Sequence, residues 1–127
     1  MAGEVLVVGA GVAGMKASLL LASAGRLVHL VEISSVIGGR LIRCEDIFPA
    51  MECATCMVSP MQQEVLRNDL IDVVTLGEIL SVEGSRGNFC VRIRQKASCV
   101  DPVACIGCAE CWNACPVEVI NEFEENL

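Results

Sequence analysis

Positive charge is scarce in this chain. Nine Lys and Arg stand against sixteen Asp and Glu, for a formal charge of -7 and a pI of about 4.6, which excludes an extended nucleic-acid surface. Residues 97–127 carry six acids and no base, whereas residues 1–96 carry ten acids and all nine bases. Histidine occurs once, at His29, so no histidine set is available for a zinc site or an acid–base pair. No apolar run reaches the roughly 20 residues that a membrane span needs; the longest candidate is broken by Lys16, Ser18, Ser23 and Gly25. Met1-Ala2-Gly3-Glu4 lacks a basic leader and runs straight into an apolar stretch, so a cytoplasmic protein is expected. Neither an internal repeat nor a low-complexity tract is present.

What the chain does have is apolar residues, glycine and cysteine. Apolar residues make up 54% of it and mean hydropathy is +0.58, enough to drive collapse and to exclude disorder as the dominant state. A length of 127 residues suits one ordinary domain, or a small domain with an appended mini-domain. In a reducing compartment the nine cysteines read as metal ligands or redox groups rather than as disulfides. Five of them, together with the one tryptophan, fall in the acidic last thirty residues, which are therefore expected to form a unit separate from residues 1–96.

The order of elements follows from periodicity and punctuation. Glu4 to Val8 is a short apolar run rich in β-branched residues and ending at a glycine, as a buried parallel strand reads. Val12 to Ala24 suits a helix closed by Gly25, and Leu27 to Glu32 a second strand, which together make a β-α-β unit. Ser34 to Pro49 reads as irregular. Ser59, Pro60 and Gln62 form a capping box that predicts a helix from Pro60 to about Arg67. A third strand is expected from Ile71 to Leu76. A hairpin follows, with arms Ile79–Glu83 and Phe89–Gln95 joined by residues 84–88.

Gly9-Ala10-Gly11-Val12-Ala13-Gly14 is a G-x-G-x-x-G between strand and helix, and Glu32 lies at the end of the next strand. Gly9 permits the tight turn, Gly11 leaves room for a pyrophosphate and Gly14 allows close helix–strand packing. The helix amino terminus offers unpaired amides to the phosphates, and Glu32 is placed to accept from a ribose. Ile37-Gly38-Gly39-Arg40 adds a second glycine pair soon after that acid. Such a pair resembles two-dinucleotide-binding flavoproteins, where backbone and arginine close over the adenosine and diphosphate, and it favours FAD over NAD.

Cys105, Cys108, Cys111, Cys115 and Pro116 spell C-x2-C-x2-C-x3-C-P, the 4Fe-4S run of bacterial ferredoxins. In ferredoxins with two such runs the fourth cysteine serves the other cluster, so Cys115 belongs either to this cubane or to a second. Trp112 is expected to pack over the cluster. Cys53-Ala54-Thr55-Cys56 leaves three readings open: ligands of a second cluster, a dithiol beside a helix terminus, or small buried residues. Cys44 and Cys90 read as structural, Cys99 less so because it lies six residues before the ferredoxin run, and His29 as a residue of the sheet.

Taken in order, Val8–Gly14, Ile37–Arg40, Phe48-Pro49 with Cys53–Cys56, Gly87-Asn88-Phe89 and the ferredoxin run through Val119 resemble one family. It is the flavin and iron-sulfur A subunit of heterodisulfide reductase, with its relative in the quinone-interacting membrane-bound oxidoreductase complex. The resemblance implies an α/β, Rossmann-like FAD-binding half-domain of the two-dinucleotide-binding type, followed by a ferredoxin-like 4Fe-4S segment. It implies FAD held by Gly9, Gly11, Gly14, Glu32, Gly38, Gly39 and Arg40. Its implied partners are B- and C-type heterodisulfide reductase subunits, hydrogenase or formate dehydrogenase modules, and ferredoxin. Family chains continue with a second ferredoxin run and the remaining half of the flavin domain, neither of which is in this sequence. A half sheet exposes a strand edge and an apolar face, so a partner subunit or self-association is expected.

Overall fold

The computed structural model describes residues 3–101 and 104–117. Glu118 and Val119, at the end of the family-like run, lie outside the described residues. The backbone divides into two compact units, residues 1–97 and residues 98–127.

In the first unit, β1 (Val5–Val8), β2 (Val28–Val31) and β5 (Ile71–Val74) form a parallel sheet in the order β1-β2-β5. Val5 pairs with Val28 and Val28 with Ile71. Helix α1 (Val12–Ser23) makes the crossover from β1 to β2 and buries Met15, Ser18, Leu19 and Ala22. That spacing of three, four and seven residues is one helical face laid on the sheet. The helix closes as expected from Gly25: at φ 74° this residue donates to the Ala22 carbonyl, and Arg26 donates to Leu21, the paired bonds of a Schellman end. Met15, Val28, Leu30 and Val65 are fully out of water at the centre of the core, each worth about 1.5–3 kcal/mol of transfer free energy.

Helix α2 departs from its expected start. It runs from Ala54 to Leu66 with Cys53 as N-cap, and Pro60 lies inside it. Ala54, Val58 and Val65 are buried and Met61 packs against the core, which makes one apolar stripe straight through Ser59-Pro60. Burial along that stripe outweighs the backbone bond that proline forfeits. Gln62, expected to reach back to Ser59, instead donates to the Ile37 carbonyl at 2.6 Å.

Ser34 to Pro49 is not wholly irregular either. A 3-10 turn spans Gly39–Arg43, and the two-residue strands β3 (Asp46–Ile47) and β4 (Glu52–Cys53) pair antiparallel. The hairpin is longer than its apolar pattern suggested, with β6 (Gly77–Ser85) and β7 (Asn88–Gln95) meeting at a two-residue turn and an irregular register between Ile79 and Ser81. Arg94 pairs with Glu78 across it. Among the described residues β1 pairs only with β2, so its other edge is open. No described helix is long and apolar enough to cross a membrane.

In the second unit the described structure is one short helix, α3 (Glu110–Asn113), capped by Ala109 at φ 62°. All described residues from Ser98 to Val117 are exposed.

Candidate functional site

The site is assembled on the loops that leave the carboxyl ends of β1 and β2, where ligands bind in open α/β sheets. Gly9 leaves β1 at φ 94°, its amide bonded to the Val31 carbonyl at 2.7 Å. Gly11 is the N-cap of α1; no side chain caps it and no acid sits in the first turn. The first amides of α1 are therefore left for an anion, with the helix dipole in support. A Cβ on Gly14 would collide with the Gly9 carbonyl, which is the close helix–strand approach expected of that glycine.

The second glycine pair joins the first in one cradle. Gly38 donates to the Ala10 carbonyl at 2.7 Å, and a Cβ on Gly39 would come within 2.9 Å of the Gly11 Cα. Gly38 and Gly39 have φ of 123° and 66°, conformations that favour glycine. Behind them Ile42 of the 3-10 turn and Gln62 of α2 leave no space for a Cβ on Gly38. Arg40 is exposed within the 3-10 turn.

Glu32 is only 8% exposed and accepts from the Ala10 amide at 2.7 Å. It also accepts from the Ser34 amide at 2.9 Å and the Ser34 hydroxyl at 2.7 Å. Burial pushes its carboxyl up, but those donors outweigh it and hold the group below the usual range, as a carboxylate. Glu32 thus anchors the glycine loop in addition to lying where a ribose would be met. Between the loop after β2 and α2 lies a cavity of about 350 Å³ lined by Ser35, Val36, Ile37, Gln62, Gln63 and Thr75. This is the size of a small-molecule site.

Gly9, Gly11, Gly14, Glu32, Gly38 and Gly39 therefore converge, from two loops well separated along the chain. Ala10, Ser34, Ile42 and Gln62 complete the cradle and went unforeseen. Only Gln62 carried a sequence signal, and the capping box had claimed it. The cradle fits an FAD, because its walls approach too closely for side chains while its helix amides stand open.

The cysteine segment is different. Cys105, Cys108, Cys111 and Cys115 are free and exposed, and among the described residues no three metal-ligating side chains are gathered. Left-handed turns at Gly107 and Ala109 (φ 69° and 62°) curl the chain on both sides of Cys108. Four soft thiols within eleven residues fit an iron-sulfur cubane by donor chemistry. Trp112, expected over the cluster, is 80% exposed.

The remaining cysteines are exposed as well. That removes the buried reading of Cys53 and Cys56: the apolar stripe of α2 runs through Ala54 and Val58 and turns both sulfurs outward. Cys44, Cys90 and Cys99, expected as structural residues, also face solvent. His29 is in the sheet as expected, its Nδ1 3.1 Å from Asp72 of β5 and its Nε2 3.4 Å from Glu4, just ahead of β1.

Residues 7–57 match the NAD(P)-binding Rossmann-like domain family. The fold is similar to L-proline dehydrogenase from P. horikoshii, with a TM-score of 0.62 and 20% identity over 73% of this chain and 19% of that one. Sequence likeness is closer to iron-sulfur A subunit 2 of the CoB-CoM heterodisulfide reductase of Methanopyrus kandleri. That protein is 43% identical over 122 residues, 96% of this chain and 19% of the relative. The A subunit of the H(2):CoB-CoM heterodisulfide,ferredoxin reductase of Methanothermobacter marburgensis is 37% identical over 124 residues, 98% of this chain and 19% of the relative. The chain thus belongs to the family of heterodisulfide reductase A subunits and spans about a fifth of the length of the curated relatives it matches.

Proposed function

We propose that this chain is the nucleotide-cradle and iron-sulfur portion of an electron-transfer subunit of the heterodisulfide reductase type. The observation that carries the reading is the contact of the two glycine loops, Gly39 against Gly11 and Gly38 on Ala10, beside uncapped helix amides in a chain that also bears the four-thiol run. Gly9, Gly11, Gly14, Gly38 and Gly39 admit the pyrophosphate of FAD, with the first amides of α1 donating to it. Glu32 accepts from the ribose while keeping the loop in place, and Arg40, at the mouth, supplies charge to the diphosphate. The cavity beside Ser35 and Gln62 receives the adenine.

Cys105, Cys108, Cys111 and Cys115 hold a 4Fe-4S cluster as thiolates. When bound, the flavin handles paired electrons and the cluster passes them singly; the protein supplies position and potential. Its partners are the other subunits of such a complex: B- and C-type subunits, hydrogenase or formate dehydrogenase modules, and ferredoxin. Nine free thiols suit the cytoplasm.

Anaerobic purification followed by absorption spectroscopy and iron and sulfide counts tests this reading. The two-banded spectrum of bound flavin, leaving with extracted FAD, is expected together with four irons per cubane. A broad iron-sulfur shoulder alone would instead support a flavin-free iron-sulfur adaptor between larger redox partners. Protein that stays colourless after reconstitution with FAD, iron and sulfide would overturn both.

A further inference from the structure

Cys53 and Cys56 lie apart from the cluster run, and the function proposed above makes no use of them. Cys53 is the N-cap of α2, a 13-residue helix, and its sulfur accepts the Cys56 amide at 3.3 Å. A sulfur in that position is stabilised as a thiolate by the amide and by the helix dipole. The Cys56 thiol, one turn on, bonds the same sulfur and with the amide draws the Cys53 thiol below the ordinary cysteine range; the same contact pushes Cys56 up. Both residues are exposed and free. This is the asymmetry of a nucleophile and its resolving partner.

The surroundings restrict the substrate. Asp46 pairs with Cys53 across β3 and β4, Glu52 precedes it, and the Glu45 carbonyl accepts from the Ala54 amide. Three carboxylate residues thus border the pair and repel an anionic substrate. Exposed Phe48, Met51 and Met57 add apolar surface beside them.

We propose that Cys53 and Cys56 form a redox-active dithiol that reduces a disulfide of neutral or positive charge, with Cys53 attacking and Cys56 resolving. The Cys53 thiolate attacks one sulfur of the substrate disulfide. A mixed disulfide forms on Cys53, and the first substrate thiolate leaves and is protonated by solvent. Cys56 then gives its proton to solvent and attacks the Cys53 sulfur, closing the Cys53–Cys56 bond and expelling the second substrate thiolate. Two electrons pass from the dithiol to the disulfide, which ends as two thiols.

The test uses the full chain, reduced and anaerobic, with no flavin added, so its outcome is separable from that of the flavin assay. Cystamine serves as the cationic disulfide and dithiobis(nitrobenzoate) as the anionic one, with peptide mass mapping of each cysteine. Cys53 is expected to react about tenfold or more faster than exposed Cys44 in the same chain. Cystamine should leave an internal Cys53–Cys56 disulfide and release two thiols. Cys56→Ser should stop at the mixed disulfide on Cys53, and Cys53→Ser, which keeps a good N-cap, should lose the fast phase. Relative to a small free thiol, cystamine should be favoured over the anionic reagent at low salt, and this preference should shrink as salt is added. Reaction of Cys53 no faster than Cys44, or a mixed disulfide that persists in the unaltered chain, overturns the proposal. So does a loss of bound iron in Cys53→Ser/Cys56→Ser, which would make the pair cluster ligands.

Discussion

Met15, Val28, Leu30 and Val65 of the first unit are fully out of water, whereas every described residue from Ser98 to Val117 is exposed. The two units thus draw on different sources of order. Residues 1–97 bury a stripe of α1 and a stripe of α2 against a parallel sheet, which is ordinary hydrophobic folding. The described residues after them bury no side chain, so no apolar core orders them. With the cluster proposed above, such a segment would take its order from what its cysteines bind, as small metal-dependent domains do.

The largest effect that would break this comparison is loss of the cluster. Replacing Cys108 or Cys111 by Ser should abolish iron and sulfide binding and remove amide-exchange protection from residues 104–117. Thermal unfolding of residues 1–97 should stay in place. A common unfolding transition for both units, shifted as one by chelation, would mean that they share one source of stability.

Gly14→Ala is expected to act only on the first unit. Its Cβ meets the Gly9 carbonyl, so about 3 kcal/mol of stability should be lost by denaturant melting, with iron content unchanged. Next comes Glu32→Ala, which orphans the buried Ala10 amide and should cost about 2 kcal/mol. FAD affinity, followed by flavin fluorescence, should fall with it.

The smallest expected effect concerns His29. Its bond to Asp72 raises its pKa; burial opposes this, and Glu4 adds to the rise. The stabilisation is therefore fully present below the unfolded value of about 6.5 and is lost as pH rises through the folded value. The Tm difference between the unaltered chain and His29→Gln should be largest below about pH 6.5 and fade as pH rises through the folded value. Because the histidine is over a third exposed, a shift of only about 1–2 °C is expected.

Much of the first unit was legible because its signals are local. The strand–glycine–helix run of residues 5–25 and the β-branched runs of β2 and β5 each speak within a dozen residues. The start of α2 was not: Ser59-Pro60 is a sound capping signal, and it lost to a buried face set by residues of α1 and the sheet. Strands β3 and β4 were missed because two-residue strands carry no periodicity.

The sequence by itself determined the glycine turns, the β-α-β order and the cysteine spacing, since backbone freedom and ligand spacing are properties of neighbouring residues. Only the tertiary structure decided that Gly39 meets Gly11, that Glu32 holds Ala10, that Gln62 braces Ile37, and that Cys53 caps a helix with its sulfur outward. Most of these are contacts across 20 residues or more, and the cap of α2 follows from them. They arise when apolar faces seek burial together, and no local pattern encodes which partners that burial will bring into reach.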